Sequence, residues 1–145
     1  MRQWKEQFHL EQQADDELAA SMVLAEALLA QGKQVDAQKE IEESRDLGAR
    51  SQNLLGRLEY DLASVRVLLA STHPEMSKPR LEKLLREARA HGFTGLELEA
   101  MLAAADLEKR SGNSALAQGQ LISLERIARD KGFGLVAHKA AAARG

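Results

Sequence analysis

The sequence predicts an all-α protein built from antiparallel helical hairpins that repeat about every 40 residues. Similar segments begin at Leu18, Leu58 and Leu98, each with apolar, small and turn-forming residues in the same order. Ala, Leu, Glu, Arg and Gln dominate the chain, and these residues lose little on entering a helix. No segment alternates with the period of two that is typical of a half-buried strand, so we expect no strands.

The repeat keeps one step without insertions. Its equivalent positions are Leu18, Leu58 and Leu98; Met22, Leu62 and Leu102; Ala25, Val65 and Ala105; Gly32, Thr72 and Gly112; Ile41, Leu81 and Leu121; Ser44, Leu84 and Leu124; and Gln52, Gly92 and Gly132. One hairpin cannot bury its own apolar face, so stacked neighbours must share a core. We therefore expect a single repeat domain with a half-repeat or cap over 1–11, repeats over 12–51, 52–91 and 92–131, and a capping helix over 132–145.

Turn-forming and capping residues predict the helix boundaries. Asp15 and Asp16 suit the start of the first full helix, because acidic side chains are favoured at a helix N-terminus. Gly32 ends that helix, and Ser77 and Ser114 are candidate N-caps further along. The predicted helices span 2–11, 15–31, 34–50, 54–70, from between 74 and 78 to 92, 94–110, 114–131 and 133–144.

Two sequence features leave alternatives open. Trp4 and Phe8 lie one turn apart, so they share a helix face. We favour packing of this pair against the next helix, and the alternative is an anchor for a partner. Gly48 lies inside the second full helix, where it either weakens the helix or lets a neighbour pack closely.

The spacing of small and apolar residues resembles the tetratricopeptide repeat (TPR). The residues are Gly32, Ala37 and Ile41 in the first copy, Thr72, Ser77 and Leu81 in the second, and Gly112, Ala117 and Leu121 in the third. The family's aromatic residues and helix-ending proline are absent, and the step is longer than the usual 34 residues. The resemblance implies a right-handed α/α superhelix in which the first helix of each hairpin lines a concave surface.

Two segments are similar to the C-terminal repeat tails of some bacterial serine/threonine protein kinases and related multidomain regulators. They are LLAQGKQVDAQKEIEES over 28–44 and ARDKGFGLVAHKAAAA over 128–143. The chain has no glycine-rich phosphate loop, His-Arg-Asp or Asp-Phe-Gly, so the resemblance carries no kinase activity. It implies a regulatory part of a bacterial signalling protein.

Composition argues against several classes of partner. The formal net charge is −2 and only 3% of residues are aromatic, which disfavours nucleic acid as a partner. No apolar run approaches the length of a membrane span, so we expect no membrane insertion. The absence of cysteine excludes disulfides and thiolate metal sites and suits the cytoplasm, where we expect this protein.

No set of residues in the sequence predicts catalysis, a cofactor or a metal site. The histidines, His9, His73, His91 and His138, do not form a ligand set, and Glu87 with His91 is only a pair. Ser21, Ser44 and Ser64 read as small spacers between helices. A metal or small-molecule enzyme built in a helical bundle is therefore the least favoured function.

One charged constellation follows the repeat. Glu26, Arg66 and Asp106 are equivalent positions on successive first helices. Glu59 and Glu99 precede Arg66 and Asp106 by two turns, and Arg110 follows Asp106 by one turn. These six residues form either a charged groove that binds a protein or peptide segment or an ordinary solvent-exposed face. We expect a non-enzymatic scaffold of this kind, and the alternative is a self-association or spacer module.

Overall fold

The computed structural model describes residues 2–145, and the predicted all-α class is confirmed, since this range contains helices and no strand. The α-helices are α1 (Arg2–Ala30), α2 (Gln34–Glu43), α3 (Arg45–Arg50), α4 (Leu54–Leu69), α5 (Lys78–Ala90), α6 (Thr94–Arg110), α7 (Ser114–Asp130) and α8 (Gly134–Arg144). A single 3₁₀ turn, Pro74–Ser77, precedes α5. The predicted bounds of α4, α6 and α8 agree with the structure to within one residue.

Four of the three-residue connections contain a glycine with positive φ, at Gly32, Gly92, Gly112 and Gly132. At the first of them, the N–H of Gly32 donates to the Leu29 carbonyl at 2.9 Å. The N–H of Lys33 donates to the Leu28 carbonyl at 2.8 Å. This pair of bonds is the Schellman motif, which satisfies the last carbonyls of a helix and needs a left-handed residue at C′. The same pair of bonds recurs at the other three glycines.

The start of the chain differs from the prediction. A separate helix over 2–11 and a new helix from Asp15 were expected, but α1 is continuous from Arg2 to Ala30. Between Glu11 and Asp15 the chain contains only Gln12, Gln13 and Ala14, which favour helix and include no breaker. Asp15 and Asp16 therefore lie in the middle of a helix and not at its N-terminus.

The predicted helix over 34–50 is interrupted at Ser44. The Ser44 hydroxyl donates to the Glu40 carbonyl at 2.7 Å, a side-chain bond that tends to bend helices. The Tyr60 hydroxyl donates to the carbonyl of Ile41, which in a regular helix would accept from residue 45. The ring of Tyr60 lies over Gly48, where an added Cβ would come within 2.8 Å of it. Gly48 thus permits close packing, which was one of its two predicted roles.

Neither predicted serine makes a side-chain cap bond, although Ser77 does occupy the N-cap position of α5. Ser77 has helical backbone angles, and its buried hydroxyl donates to the Pro74 carbonyl at 2.7 Å. Ser114 is already the first residue of α7, and its neighbour Asn113 occupies the N-cap position without a side-chain cap bond. Asn53 does cap α4, since its side chain accepts from the N–H of Gly56 at 3.1 Å.

The contacts divide the chain into two compact units, with the boundary between Ser71 and Thr72. Unit 1 contains α1 to α4, and unit 2 contains the 3₁₀ turn and α5 to α8. The core of unit 1 contains Leu18, Ala25, Ala37, Ile41, Tyr60, Ala63 and Val67. The core of unit 2 contains Leu98, Ala105, Leu121, Leu124, Ala128, Val136, Ala137 and Ala140. Aliphatic side chains and alanine thus supply most of both cores.

Candidate functional site

In unit 1 the structure brings two of the predicted site residues together. Arg66 Nη1 on α4 lies 2.7 Å from Glu26 Oε1 on α1, an ion pair between positions forty residues apart. The side chains are 30% and 47% exposed, respectively, so the pair is open to solvent. Glu59 is exposed on α4, two turns before Arg66. The surface between these helices therefore presents one ion pair and an additional carboxylate.

In unit 2 the remaining three predicted residues also lie near the surface, but in two separate pairs. Arg110 Nε lies 3.0 Å from Asp106 Oδ2, one turn apart on α6. Glu99 Oε1 lies 3.2 Å from Lys139 Nζ on α8, again a pair of positions forty residues apart. Lys139 was not among the predicted residues, although its position forty after Glu99 could have identified it.

Most of the predicted site residues are already engaged in ion pairs within their own unit. Solvent-exposed ion pairs contribute about 0–1 kcal/mol to stability, so a ligand can exchange them for its own charges at small cost. Such pairs are also screened at physiological salt. Five of the six predicted residues lie in these pairs, and the six are divided equally between units 1 and 2.

A second surface is the N-terminal arm, defined as residues 3–13 of α1. Trp4 and Phe8 are 58% and 60% exposed, so the favoured prediction that they pack on the next helix is wrong. Steps of three and four residues place them on the same face of α1 as Leu18 and Met22, which pack in the core of unit 1. Trp4 and Phe8 therefore lie on the core-facing side of α1, separated from Leu18 by the acidic residues Glu11 and Asp15.

The cover of α1 ends near Asp15. Ser51, the residue after α3, donates its hydroxyl to Asp15 Oδ1 at 2.7 Å. No residue before Leu18 in the described part of α1 is fully buried. The arm is thus a largely exposed helix that presents two aromatic side chains on one face.

A third surface is the α5–α7 groove of unit 2, with a volume of about 520 Å³. Its lining residues are Leu85, Met101, Ala104, Ala115, Leu116, Gly119, Gln120 and Ser123. Ala115, Gly119 and Ser123 follow each other at intervals of four residues, so small side chains line one face of α7. Gln120 Oε1 is buried and has no hydrogen-bond partner within the described range.

Sequence patterns alone do not predict the α5–α7 groove. Its one available signal was Gly119, a glycine in the middle of a helix with no role in a turn.

The candidate metal ligands and the serines that the sequence singles out have identifiable surroundings in the part of the chain that the structure describes. No three His, Asp or Glu side chains lie together as metal ligands among residues 2–145. The four histidines are exposed, and the ring of His91 stacks on Phe93 with the ring centroids 6.0 Å apart. The buried hydroxyls of Ser44 and Ser64 donate to carbonyls of their own helices. These hydroxyls therefore form hydrogen bonds with the backbone.

Comparisons with known proteins do not assign this chain to a family. Among the described helices, none combines the length and the apolar character needed to cross a membrane. No protein-family model matches the sequence, and no curated protein and no solved structure is similar enough to count as a match. The fold and surfaces therefore define an all-α helical protein with three candidate interaction surfaces.

Proposed function

We propose that this chain is a TPR-like array of helical hairpins with a 40-residue period, arranged as an α/α superhelix. In this proposal it acts as a non-catalytic scaffold for a protein segment, as a regulatory part of a bacterial signalling protein located in the cytoplasm. Extended surfaces for partner segments are the usual product of such repeat architectures. The fold alone does not establish the function, so the surface residues must carry the argument.

The observation that carries the proposal is the pairing of side chains forty residues apart. Glu26 contacts Arg66 in unit 1, and Glu99 contacts Lys139 in unit 2. Within each unit, first helices of successive hairpins therefore lie side by side and present charged residues from the same repeat positions. This is the arrangement expected of a repeat surface that binds an extended segment.

The burial of equivalent residues supports the same period. Leu18, Leu58 and Leu98 are each at most 2% exposed. The sets Ala25, Val65 and Ala105, and Ala37, Ser77 and Ala117, are also buried. Equal burial at steps of forty is what a repeated hairpin requires, because each copy must contribute the same face to the core.

A capture experiment tests the scaffold proposal. The full chain is used as bait in lysate of its native host, in parallel with an Arg66→Glu, Asp106→Arg variant. Arg57→Glu with Asp130→Arg is the matched control, since it reverses two exposed charges outside the constellation and leaves the net charge unchanged. Any captured protein is identified, purified and titrated against all three baits.

We expect the constellation variant to bind the purified partner at least about tenfold more weakly, a change of about 1.4 kcal/mol. The control should bind like the unmodified chain. An equal loss of affinity in both variants would mean that any charge reversal weakens binding, which would contradict a specific role for the charged constellation. Equal affinity of the unmodified chain and both variants would mean that the partner binds elsewhere on the protein.

A second candidate function is self-association, and the exposure of Trp4 and Phe8 favours it. Two aromatic side chains on an uncovered helix face are typical anchors of protein interfaces. In the capture experiment this function would appear as recovery of the bait's own parent chain.

A further inference from the structure

We propose that the α5–α7 groove binds the N-terminal arm of a second copy of this chain. Trp4 and Phe8 would enter the groove, so that copies associate head to tail through two different surfaces. This inference rests on the self-association candidate, for which it names the receiving surface, and it uses neither the charged constellation nor an external partner.

The arm is suited to docking because it is already helical and presents two exposed aromatic side chains on one face. Its aromatic side chains lie one turn apart and are more than half exposed. Burying an aromatic side chain removes roughly 150–250 Å² from water, so two such residues supply most of the driving force that a short helix can offer. The arm therefore needs no rearrangement before it binds.

The groove has the complementary features of a helix-binding site. Leu85, Met101 and Leu116 provide apolar walls, and the small residues of α7 leave room for another helix to approach. Gly119 is informative because a Cβ at this position would meet no atom within 4 Å. Glycine in a helix costs up to about 1 kcal/mol relative to alanine. Nothing within unit 2 requires that cost, whereas close approach of an incoming helix would.

The regions that contain the arm and the groove carry opposite net charges. Residues 1–71 contain eight Lys or Arg and thirteen Asp or Glu, a net charge of −5. Residues 72–145 contain twelve and nine, a net charge of +3. Closer to the surfaces, residues 3–17 of α1 contain one lysine and five acidic residues, and α5 contains five basic residues and two acidic ones. Such complementarity favours the arm of one copy at the groove of another over two like surfaces.

Gln120 lines the groove, and its Oε1 is a buried acceptor without a hydrogen-bond partner within the described range. Trp4 carries an indole N–H, which is a donor only. This donor can pair with Gln120 Oε1 once the Gln120 side chain turns its amide oxygen into the groove.

The test compares association of the full chain with that of two variants. The arm variant is Trp4→Ala with Phe8→Ala, and its control is Leu10→Ala, an equally exposed arm residue on the opposite face. The groove variant is Gly119→Leu, and its control is Gly134→Leu. An added Cβ meets nothing within 4 Å at either glycine, so both leucine variants should fold. Circular dichroism checks the helix content of each variant.

Sedimentation velocity over a wide range of concentration measures the mass. We expect the unmodified chain and both controls to associate, and the arm and groove variants to associate at least about tenfold more weakly. Mixing the two variants should restore one complex of two chains, because one still has a groove and the other an arm. Association should weaken as salt is raised, since salt screens the attraction between the acidic arm region and the basic residues of α5.

Tryptophan fluorescence gives an independent readout, because Trp4 is the single tryptophan of the chain. Its emission should shift to shorter wavelength as the unmodified chain associates, and this shift should be absent in Gly119→Leu. A chain that stays monomeric at every concentration overturns the inference. Association that needs the arm but is unaffected by Gly119→Leu also overturns it, because the arm would then bind a surface other than the α5–α7 groove.

Discussion

Tyr60 joins α4 to the α2–α3 region through two contacts. Its ring covers Gly48, and its hydroxyl donates to the carbonyl of Ile41. The interruption at Ser44 lies between these two points, so one side chain spans the bend. The interruption at Ser44 and the glycine at position 48 therefore both accommodate the buried side chain of Tyr60.

We expect Gly48→Ala to destabilise the protein by about 1–3 kcal/mol, because the new Cβ would overpack against the Tyr60 ring. Gly119→Ala is the matched control. It is also a glycine inside a helix, but its Cβ would meet open space, so this change should stabilise by up to about 1 kcal/mol. Urea unfolding followed by circular dichroism measures both changes. Equal stability of the two variants would show that the Tyr60 ring moves freely.

We expect Tyr60→Phe to lower the free energy of unfolding by about 1 kcal/mol. The ring and its packing remain, but the Ile41 carbonyl loses the hydroxyl that donates to it. The same urea titration provides the measurement. An unchanged unfolding midpoint would mean that the carbonyl returns to a bond within its own helix.

At the scale of the element, α1 consists of two parts with different surroundings. The part from Leu18 to Ala30 contains the buried residues of α1, whereas nearly all side chains of the arm are exposed. Helix propensity alone rarely holds a short helix in water, so the arm depends on being continuous with the packed part. Binding of a partner to its exposed aromatic side chains should therefore stabilise the arm.

Amide hydrogen exchange should separate these two parts of α1. In dilute protein, amides of residues 6–13 should exchange much faster than those of residues 22–30, because nearly all side chains of residues 6–13 are exposed and little packing opposes opening of the arm. Helix α7, which packs on both α6 and α8, provides an internal control with slow exchange. Uniform protection along α1 in dilute protein would contradict the view of the arm as uncovered.

The Glu26–Arg66 pair links two helices, and a double-mutant cycle with Glu26→Gln and Arg66→Gln measures its strength. We expect a coupling free energy of at most about 1 kcal/mol, since both side chains are partly exposed. The coupling should decrease in high salt. A coupling well above this range would mean that the pair is a structural link and a poor candidate for exchange with a ligand.

At the scale of the whole molecule, both units follow the same construction. Each has a core of aliphatic side chains and alanine, and each has a cross-helix ion pair at the surface. Buried polar side chains are few, and the serines among them mostly bond to nearby carbonyls of the same element. Stability should therefore depend on apolar packing that is distributed across both units.

We expect Leu58→Ala and Leu98→Ala to have similar costs of about 2–5 kcal/mol each, because both side chains are almost completely buried at equivalent positions. Leu135→Ala should change stability by no more than about 0.5 kcal/mol, since that leucine is mostly exposed. Thermal and urea unfolding measure the three variants. A much smaller cost in one unit would show that its hairpin core is not equivalent to the other.

Local physics determined much of this fold. Gly32, Gly92, Gly112 and Gly132 are recognisable in the sequence because only a residue without Cβ readily adopts the left-handed C′ conformation. The bounds of α4 and α6 follow from the same local signals. The spacing of Leu18, Leu58 and Leu98 identified buried positions, since the periodicity of a helix fixes which residues share a face. The 40-residue period and the TPR-like superhelix remain predictions.

The tertiary structure decided what depends on neighbours distant in sequence. The exposure of Trp4 and Phe8 could not be read from their spacing, because an amphipathic stripe does not reveal where its cover ends; here the cover ends at Asp15 and Ser51. The bend at Ser44 follows from Tyr60, sixteen residues later in the chain. The α5–α7 groove combines side chains of three helices. Sequence periodicity thus determined which faces are apolar, and packing determined which of those faces remain uncovered.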